Sequence, residues 1–314
     1  MLSQDNITWI IQASQDVFHW NYDQEVCVSY LPLSHVAAQI IDIYLCFFGG
    51  ATVWFADKTA LQGTLVDTLL EARPTRFIGV PGVYEKMNER LVEVGSQARG
   101  LTKMVADWAK AQASSHHLSV MAGGGGGGLA YQLARRLILS QVHRRLGLDR
   151  AAHPTQGGLY SGASPLSLHT FHYFLSLDLP IMELLGSSET TGPQAASTPG
   201  PGTRPGSVGR AFPHFQTVIE HRDGQGRCRK HNSYMKIGLS NIFNQSIKSC
   251  LGCPGEEGEI LTRGRNVCLG YLWDADKTDQ LIDSEGWVHS GDLGRIDQDG
   301  FFYVTGRIKV SLHN

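Results

Sequence analysis

Between residues 26 and 185, short apolar runs of strand length alternate with segments of helical period, and this alternation restricts the possible folds more than anything else in the chain. Val26, Val28 and Tyr30 alternate into a strand, Ser34 can cap a helix running to Phe48, and residues 51–56 return to strand character. Residues 64–73 then read as a helix, 77–80 as a strand and 84–94 as a helix. A basic amphipathic helix over 133–146, a strand over 157–160, a helix over 167–177 and a strand over 181–185 follow. Ahead of them, Asp5 or Asn6 can cap a helix that carries Ile7, Ile10, Ile11 and Phe18 at helical spacing. Repeats of this length join parallel strands through crossover helices, so the expected class is α/β, with parallel sheet layers and helices on both faces. Ligands of such sheets bind beyond the carboxyl ends of the strands.

The pattern ends near Thr191. Glycine and proline crowd residues 192–213, and the remainder reads as short strands joined by turns such as Asp299-Gly300. The expected division is therefore an α/β part over 1–191, a smaller β-rich subdomain over 192–306 and a short stub over 307–314. Two stretches do not follow this order. Residues 123–128 are six consecutive glycines, and no Lys-Ser or Lys-Thr pair follows to reach a phosphate, so an exposed flexible connection is expected. Residues 227–254 are polar and aperiodic and contain Cys250 and Cys253; a single such pair is weak evidence for zinc, and an unstructured insertion is the expectation.

Composition closes off several functions. The 314 residues are 42% hydrophobic, enough to fill a substantial core, and 27 Lys+Arg against 29 Asp+Glu leave a formal charge of -2, which gives no attraction to a nucleic-acid polymer. Six scattered cysteines suit a reducing compartment better than a disulfide framework. The longest apolar run, 40–48, is broken by Asp42 and ended by Gly49-Gly50, so no transmembrane segment is expected and any membrane contact is peripheral. The first residues lack the basic and apolar regions of a signal peptide.

Four segments carry chemistry. Tyr30-Leu-Pro-Leu-Ser-His35 lies where a strand gives way to a helix N-terminus; alone, His35 reads as a helix-start or core histidine. Leu159-Tyr-Ser-Gly-Ala-Ser-Pro165 has small residues that let a flat ring approach the backbone, although a plain strand-to-turn junction has the same composition. Glu183-Leu-Leu-Gly-Ser-Ser-Glu-Thr-Thr-Gly192 sets hydroxyls and a carboxylate on a turn, where Glu189 can hold magnesium and Ser188 or Thr190 can bind a phosphate; a polar capped loop is the bland alternative. Last come Trp287-Val-His-Ser-Gly-Asp-Leu-Gly294 and Gly300-Phe-Phe-Tyr-Val-Thr-Gly-Arg-Ile-Lys309. There Asp292 can accept from both hydroxyls of a ribose, and Arg307 can bind the sugar or a phosphate.

In this order and spacing the strings resemble the adenylate-forming (AMP-binding) superfamily, and within it the long-chain acyl-CoA synthetases of the bubblegum type. The resemblance covers nearly the whole chain apart from 123–128 and 227–254. It implies a fatty acid–CoA ligase that forms an acyl-adenylate from ATP and then a coenzyme A thioester. By motif, Glu189 would hold Mg2+, Ser188 and Thr190 would approach the α-phosphate, and Gly162, Ala163 and Ser164 would frame adenine beside Gly186. Asp292 and Arg307 would take the ribose, His35 would lie beside the acyl carboxylate, and Lys309 would occupy the hinge. The implied location is cytoplasmic, with peripheral contact at the cytosolic face of the endoplasmic reticulum as its membrane form. The family's Ser/Thr/Gly-rich phosphate loop has no counterpart before Met1 and its C-terminal domain none after Lys309, so slow turnover is expected of this chain alone. The alternatives are a non-catalytic lipid- or nucleotide-binding fragment, or activation of a different carboxylic acid.

Overall fold

A computed structural model describes residues 1–153, 158–222, 228–232 and 255–308. Helix α1 (Gln4–Phe18) is followed by strand β1 (Val26–Ser29), helix α2 (Val36–Ala38), a π-helical stretch (Gln39–Leu45), helix α3 (Cys46–Gly49) and strand β2 (Thr52–Phe55). Then come α4 (Leu65–Ala72), β3 (Arg76–Gly79), α5 (Pro81–Ser96), α6 (Gly100–Met121), α7 (Leu129–Ala134), a second π-helical stretch (Arg135–Leu139), α8 (Ser140–Leu146), β4 (Gly158–Ser161), α9 (Leu168–Ser176) and β5 (Ile181–Ser187). The remainder is mostly β: β6 (Gly192–Ala196), β7 (Arg210–Ala211), β8 (Gln216–Arg222), β9 (Cys228–Asn232), β10 (Gly258–Arg263), α10 (Ala275–Leu281), β11 (Val288–Ile296) and β12 (Phe302–Arg307). The class is α/β with an additional β-rich sheet. Two compact units share the chain: Phe18–Leu184 with Ser197–Gly206, and Met1–Val17 with Leu185–Ala196 and Ser207–Asn314. The stretch read from sequence as residues 1–191 is thus distributed over both.

In the first unit, β1 pairs with β2, and β3 with β4 and β4 with β5, all parallel. Phe77, Leu159 and Ile181, one from each of the last three strands, are fully or almost fully buried with Leu69, Tyr84 and Phe174 from the helices. This is the two-sided burial that turns parallel strands into continuous apolar runs. One ion pair lies inside it: Arg76 Nε is 2.9 Å from Glu25 Oε1, with side-chain exposures of 5% and 1%. Arg76 also donates to the Tyr160 hydroxyl at 2.8 Å and stacks over Trp20, and Thr75 donates its hydroxyl to Glu25.

Several helix boundaries differ from the sequence reading. Asp5 and Asn6 do not start α1; Ser3 does, its hydroxyl accepting from Asn6 N (3.1 Å) while Asn6 Oδ1 accepts from Ser3 N (2.8 Å). This is a reciprocal cap with asparagine in place of the usual glutamate. His35, not Ser34, caps α2, and the expected helix to Phe48 passes through π-helical turns before Gly50 ends it at φ 66°. The expected 133–146 helix likewise extends back to Leu129 and contains a π-helical stretch. It stops at Gly147, where an added Cβ would lie 2.1 Å from Leu69 O.

Helix α6 has no counterpart in the sequence reading. Its buried positions are Ala109 and Ala113, packed with Tyr131, Ala134 and Leu139, while Leu101, Met104 and Val105 are exposed. The glycine run leaves its end: Gly123 at φ 80° donates to Val120 O, Gly124 donates to Ser119 O, and most of the run is exposed. No helix among the described residues is long and apolar enough to cross a membrane.

The second unit holds an antiparallel sheet ordered β12-β11-β10-β8-β9. Ile219, Ile260 and Phe302 form one buried cluster with Val208 and Ala211; Val218, Leu261 and Trp287 form another. The reading of 227–254 as an unstructured insertion is corrected at its start, where β9 pairs with β8 from Val218↔Asn232 to Arg222↔Cys228. Backbone pairing along an available strand edge outweighs the polar composition there. Cys250 and Cys253 lie outside the described residues.

Candidate functional site

The chain leaves β5 through Gly186, where glycine is required: a Cβ would fall 2.2 Å from Gly192 O, in the returning strand β6. Between them the loop closes on itself. Ser187 N donates to Thr190 Oγ1 at 3.0 Å, Thr190 N to Ser187 Oγ at 3.2 Å, and Thr190 Oγ1 to Gly192 O at 2.9 Å. Thr191, at φ 58°, donates to Asn266 O, and Asn266 Nδ2 returns a bond to Thr190 O. The sequence assigned Thr190 to a phosphate. In the structure Thr190 is 1% exposed and its hydroxyl is hydrogen-bonded within the loop, where it shapes the turn. Ser188 is exposed, and its hydroxyl makes no hydrogen bond among the described residues. Neighbouring Glu189 accepts at Oε1 from the Tyr271 hydroxyl at 2.8 Å, while Cys268 N donates to Glu189 O. Burial, and then the Glu189 carboxylate, push the Tyr271 hydroxyl up to about 12, so it stays a donor.

In the same unit, Asp292 and Arg307 are cross-strand partners on β11 and β12, with Arg307 Nε 2.8 Å from Asp292 Oδ1. Arg307 is 73% exposed and Asp292 17%. Ahead of Asp292 the strand turns at Gly291, φ 70°, whose N–H donates to Glu259 Oε1 at 3.0 Å; Glu259 Oε2 meets His289 Nδ1 at 3.0 Å. Glu259, His289 and Glu220 are also the one group of three closely spaced metal-type ligands among the described residues, but Glu259 already spends both oxygens on hydrogen bonds. Lys309 lies outside the described residues.

The first unit carries the remaining candidates. Gly162, Ala163 and Ser164 form the turn after β4, with Ala163 in the left-handed region at φ 74° and, like Ser164, exposed. Leu166 N then donates to Glu183 Oε2 at 3.1 Å, and Ser167 caps α9 by accepting from Thr170 N. His35 takes the helix-start role that its position alone suggested: its Nδ1 accepts from Ala37 N at 3.1 Å, leaving the proton on the exposed Nε2.

The sequence reading gave no role to Tyr271, Asn266 or Glu259, nor to Glu183 at the head of its own segment. Their partners lie 17 to 82 positions away, and no local spacing announces them. Glu189 fits a magnesium ion as a single hard carboxylate ligand: its Oε2 accepts no hydrogen bond among the described residues, and no cluster of further acids surrounds it. Magnesium beside nucleotide phosphates is usually held in this way, by one or two carboxylates plus phosphate oxygens and water.

A model of the AMP-binding enzyme family matches residues 1–272. Long-chain-fatty-acid–CoA ligase ACSBG2 of Gallus gallus is 41% identical over 312 residues, covering 98% of this chain and 36% of the ligase. The protein of that name in Homo sapiens is 39% identical over 312 residues, covering 99% and 41%. The chain thus spans about two fifths of the length of these relatives. Among solved structures, apo MatB from Rhodopseudomonas palustris superposes with a TM-score of 0.62 at 19% identity, covering 98% of this chain and 45% of MatB. A malonyl-CoA ligase with methylmalonyl-CoA and AMP bound gives 0.60 at 18% identity, covering 98% and 49%. At such identities the likeness shows the fold. With the family model matching most of its length, the chain belongs to the AMP-binding enzyme family.

Proposed function

We propose that this chain is the nucleotide-handling part of a long-chain fatty acid–CoA ligase of the bubblegum type. The observation that carries the reading is the 41% identity, over nearly the whole chain, to a protein named for that activity. The geometry of the candidate residues agrees with it. Asp292, largely sheltered beside Arg307, can accept from the two ribose hydroxyls, and the exposed Arg307 guanidinium can donate to sugar or phosphate oxygen. Ser188 offers an uncommitted hydroxyl to the α-phosphate, and the strained turn at Ala163 presents backbone to the flat face of adenine.

In the proposed reaction a carboxylate oxygen of the fatty acid attacks the α-phosphorus of ATP. The bond from that phosphorus to the bridging oxygen breaks, and pyrophosphate leaves with the electron pair. The coenzyme A sulfur then attacks the acyl carbonyl, losing its proton, and AMP leaves. Magnesium supplies charge neutralisation on the phosphates, with Glu189 as the residue that would hold it. The protein's share is positioning: Tyr271 fixes the Glu189 carboxylate, Thr190 and Asn266 fix the turn that carries it, and Arg307 orients Asp292. A cytoplasmic location belongs to the same reading and is checked by fractionation.

The test is acyl-CoA formation from palmitate, ATP, Mg2+ and coenzyme A by the purified chain, beside equilibrium binding of palmitoyl-AMP. Product formation that Asp292→Asn abolishes supports the ligase. Binding without product moves the conclusion to a non-catalytic acyl-adenylate-binding piece, and product from a short aryl acid but not palmitate moves it to another carboxylic acid.

A further inference from the structure

Glu183 is a buried carboxylate that the proposed reaction does not use. It is 5% exposed in the middle of β5, and no charged group among the described residues compensates it. Its one side-chain hydrogen bond among the described residues comes from Leu166 N, at 3.1 Å, immediately after the Gly162–Ala163–Ser164–Pro165 turn. The start of that turn rests on the same strand: a Cβ on Gly162 would meet Leu184 Cβ at 3.5 Å and Leu184 O at 3.6 Å, ordinary contact distances. Both feet of the turn therefore stand on neighbouring residues of β5. Between them Ala163 holds φ 74°, a region that alanine avoids and keeps only where the surroundings over-determine it. Ser161, the register partner of Glu183 across the parallel pair, is 1% exposed, and its hydroxyl has no hydrogen-bond partner among the described residues. Partners in register project to one face, so a carboxylate and an unpaired hydroxyl lie together beneath the turn.

We propose that Glu183 is a positioning residue for the nucleotide: by holding Leu166 N–H it keeps the strained Ala163 turn in the shape that receives the adenine ring. The inference rests on the nucleotide reading of that turn. An uncompensated buried carboxylate is unfavourable in itself, and a plain strand position in this sheet would carry an apolar side chain. Burial pushes its carboxyl up to about 7, with the Leu166 N–H pulling the other way, so near neutral pH the acceptor passes between a carboxylic acid and the stronger-accepting carboxylate.

The experiment compares the whole chain with Glu183→Ala, Glu183→Gln and Glu183→Ala/Ala163→Gly. Amide hydrogen exchange over residues 158–170, corrected for intrinsic rates, reads the clamp; calorimetric titration with AMP reads its use. Glu183→Ala should lose about tenfold protection at Leu166 and bind AMP about tenfold more weakly, a hydrogen bond's worth. Glu183→Gln, which keeps an acceptor, should retain both, and Ala163→Gly should recover part of the loss by removing the strain. Wild-type AMP affinity should change between pH 6 and 8, whereas that of Glu183→Gln should stay flat. Unchanged protection in Glu183→Ala overturns the clamp, and lost protection with unchanged AMP affinity overturns its positioning role. If wild type binds no AMP while the exchange pattern holds, the nucleotide reading fails and the clamp stands. Should Glu183→Ala not fold, Glu183→Met makes the same comparison with the volume kept.

Discussion

Glu25–Arg76 and Asp292–Arg307 are the same chemical pair at nearly the same distance, 2.9 and 2.8 Å, in two different units of the molecule. They do opposite things. The first is sealed, with Tyr160, Thr75, Asn21, Trp20 and the His19 carbonyl that accepts from Arg76 closing round it. The second leaves its guanidinium 73% exposed on the last strand of a sheet. Removing water makes a pair architectural, because either partner alone would be a buried uncompensated charge. Leaving water in place makes it exchangeable, since an exposed guanidinium can trade a carboxylate for a ligand oxygen at little cost.

The largest test of this contrast is Arg76→Ala. It strands Glu25 and should destabilise the chain by about 3–5 kcal/mol in denaturant unfolding. A loss under 1 kcal/mol would mean that burial is not what separates the two pairs. Next comes Glu183, a buried carboxylate with no cation beside it among the described residues. Its folded value of about 7 lies above the ordinary 4.5. A raised folded value means stability is fully present below pH about 4.5, is lost as pH climbs to about 7 and stays flat beyond, for a total of about 3 kcal/mol. Glu183→Gln should therefore gain on wild type as pH rises from 4.5 to 8 in parallel urea titrations; a pH-independent difference would reject the assignment. Asp292→Asn should weaken AMP binding about tenfold while moving unfolding free energy by less than about 1 kcal/mol. The smallest effect is Arg307→Ala on stability alone, about 0.5 kcal/mol or less, against a measurable loss of AMP affinity. Equal effects on folding and on binding in either variant would return that pair to the architectural class.

The same contrast explains what could be read from the sequence. Strands β3, β4 and β5 announce themselves because burial on both faces makes each a short apolar run around Phe77, Leu159 and Ile181. Helix α6 is silent for the converse reason: alanine, not leucine, faces its partner, and the large apolar side chains lie outside. In the loop after β5 the composition was legible, but the direction of each hydroxyl was not. Thr190 turns inward because Asn266, 76 positions later, takes its carbonyl, and Ser188 is left outside. His35 was legible in its bland role, since a side chain beside a helix start needs only a local N–H to satisfy. Arg307 and Asp292 were legible as a motif, yet only strand pairing with a bulge between Leu293 and Gly294 brings them opposite one another.

The glycine run between α6 and α7 has a consequence for how this protein can change length. The two flanking helices pack directly on each other through Ala109, Ala113, Tyr131 and Ala134, and only the ends of the run hydrogen-bond to them, so the packing does not depend on the length of its middle. Doubling a flexible link raises its closure free energy by only about 0.6 kcal/mol. A tract of six glycines can therefore expand or contract nearly neutrally, which makes residues 123–128 the natural place to insert a tag, a protease site or a fluorescent reporter while keeping the packing of both helices.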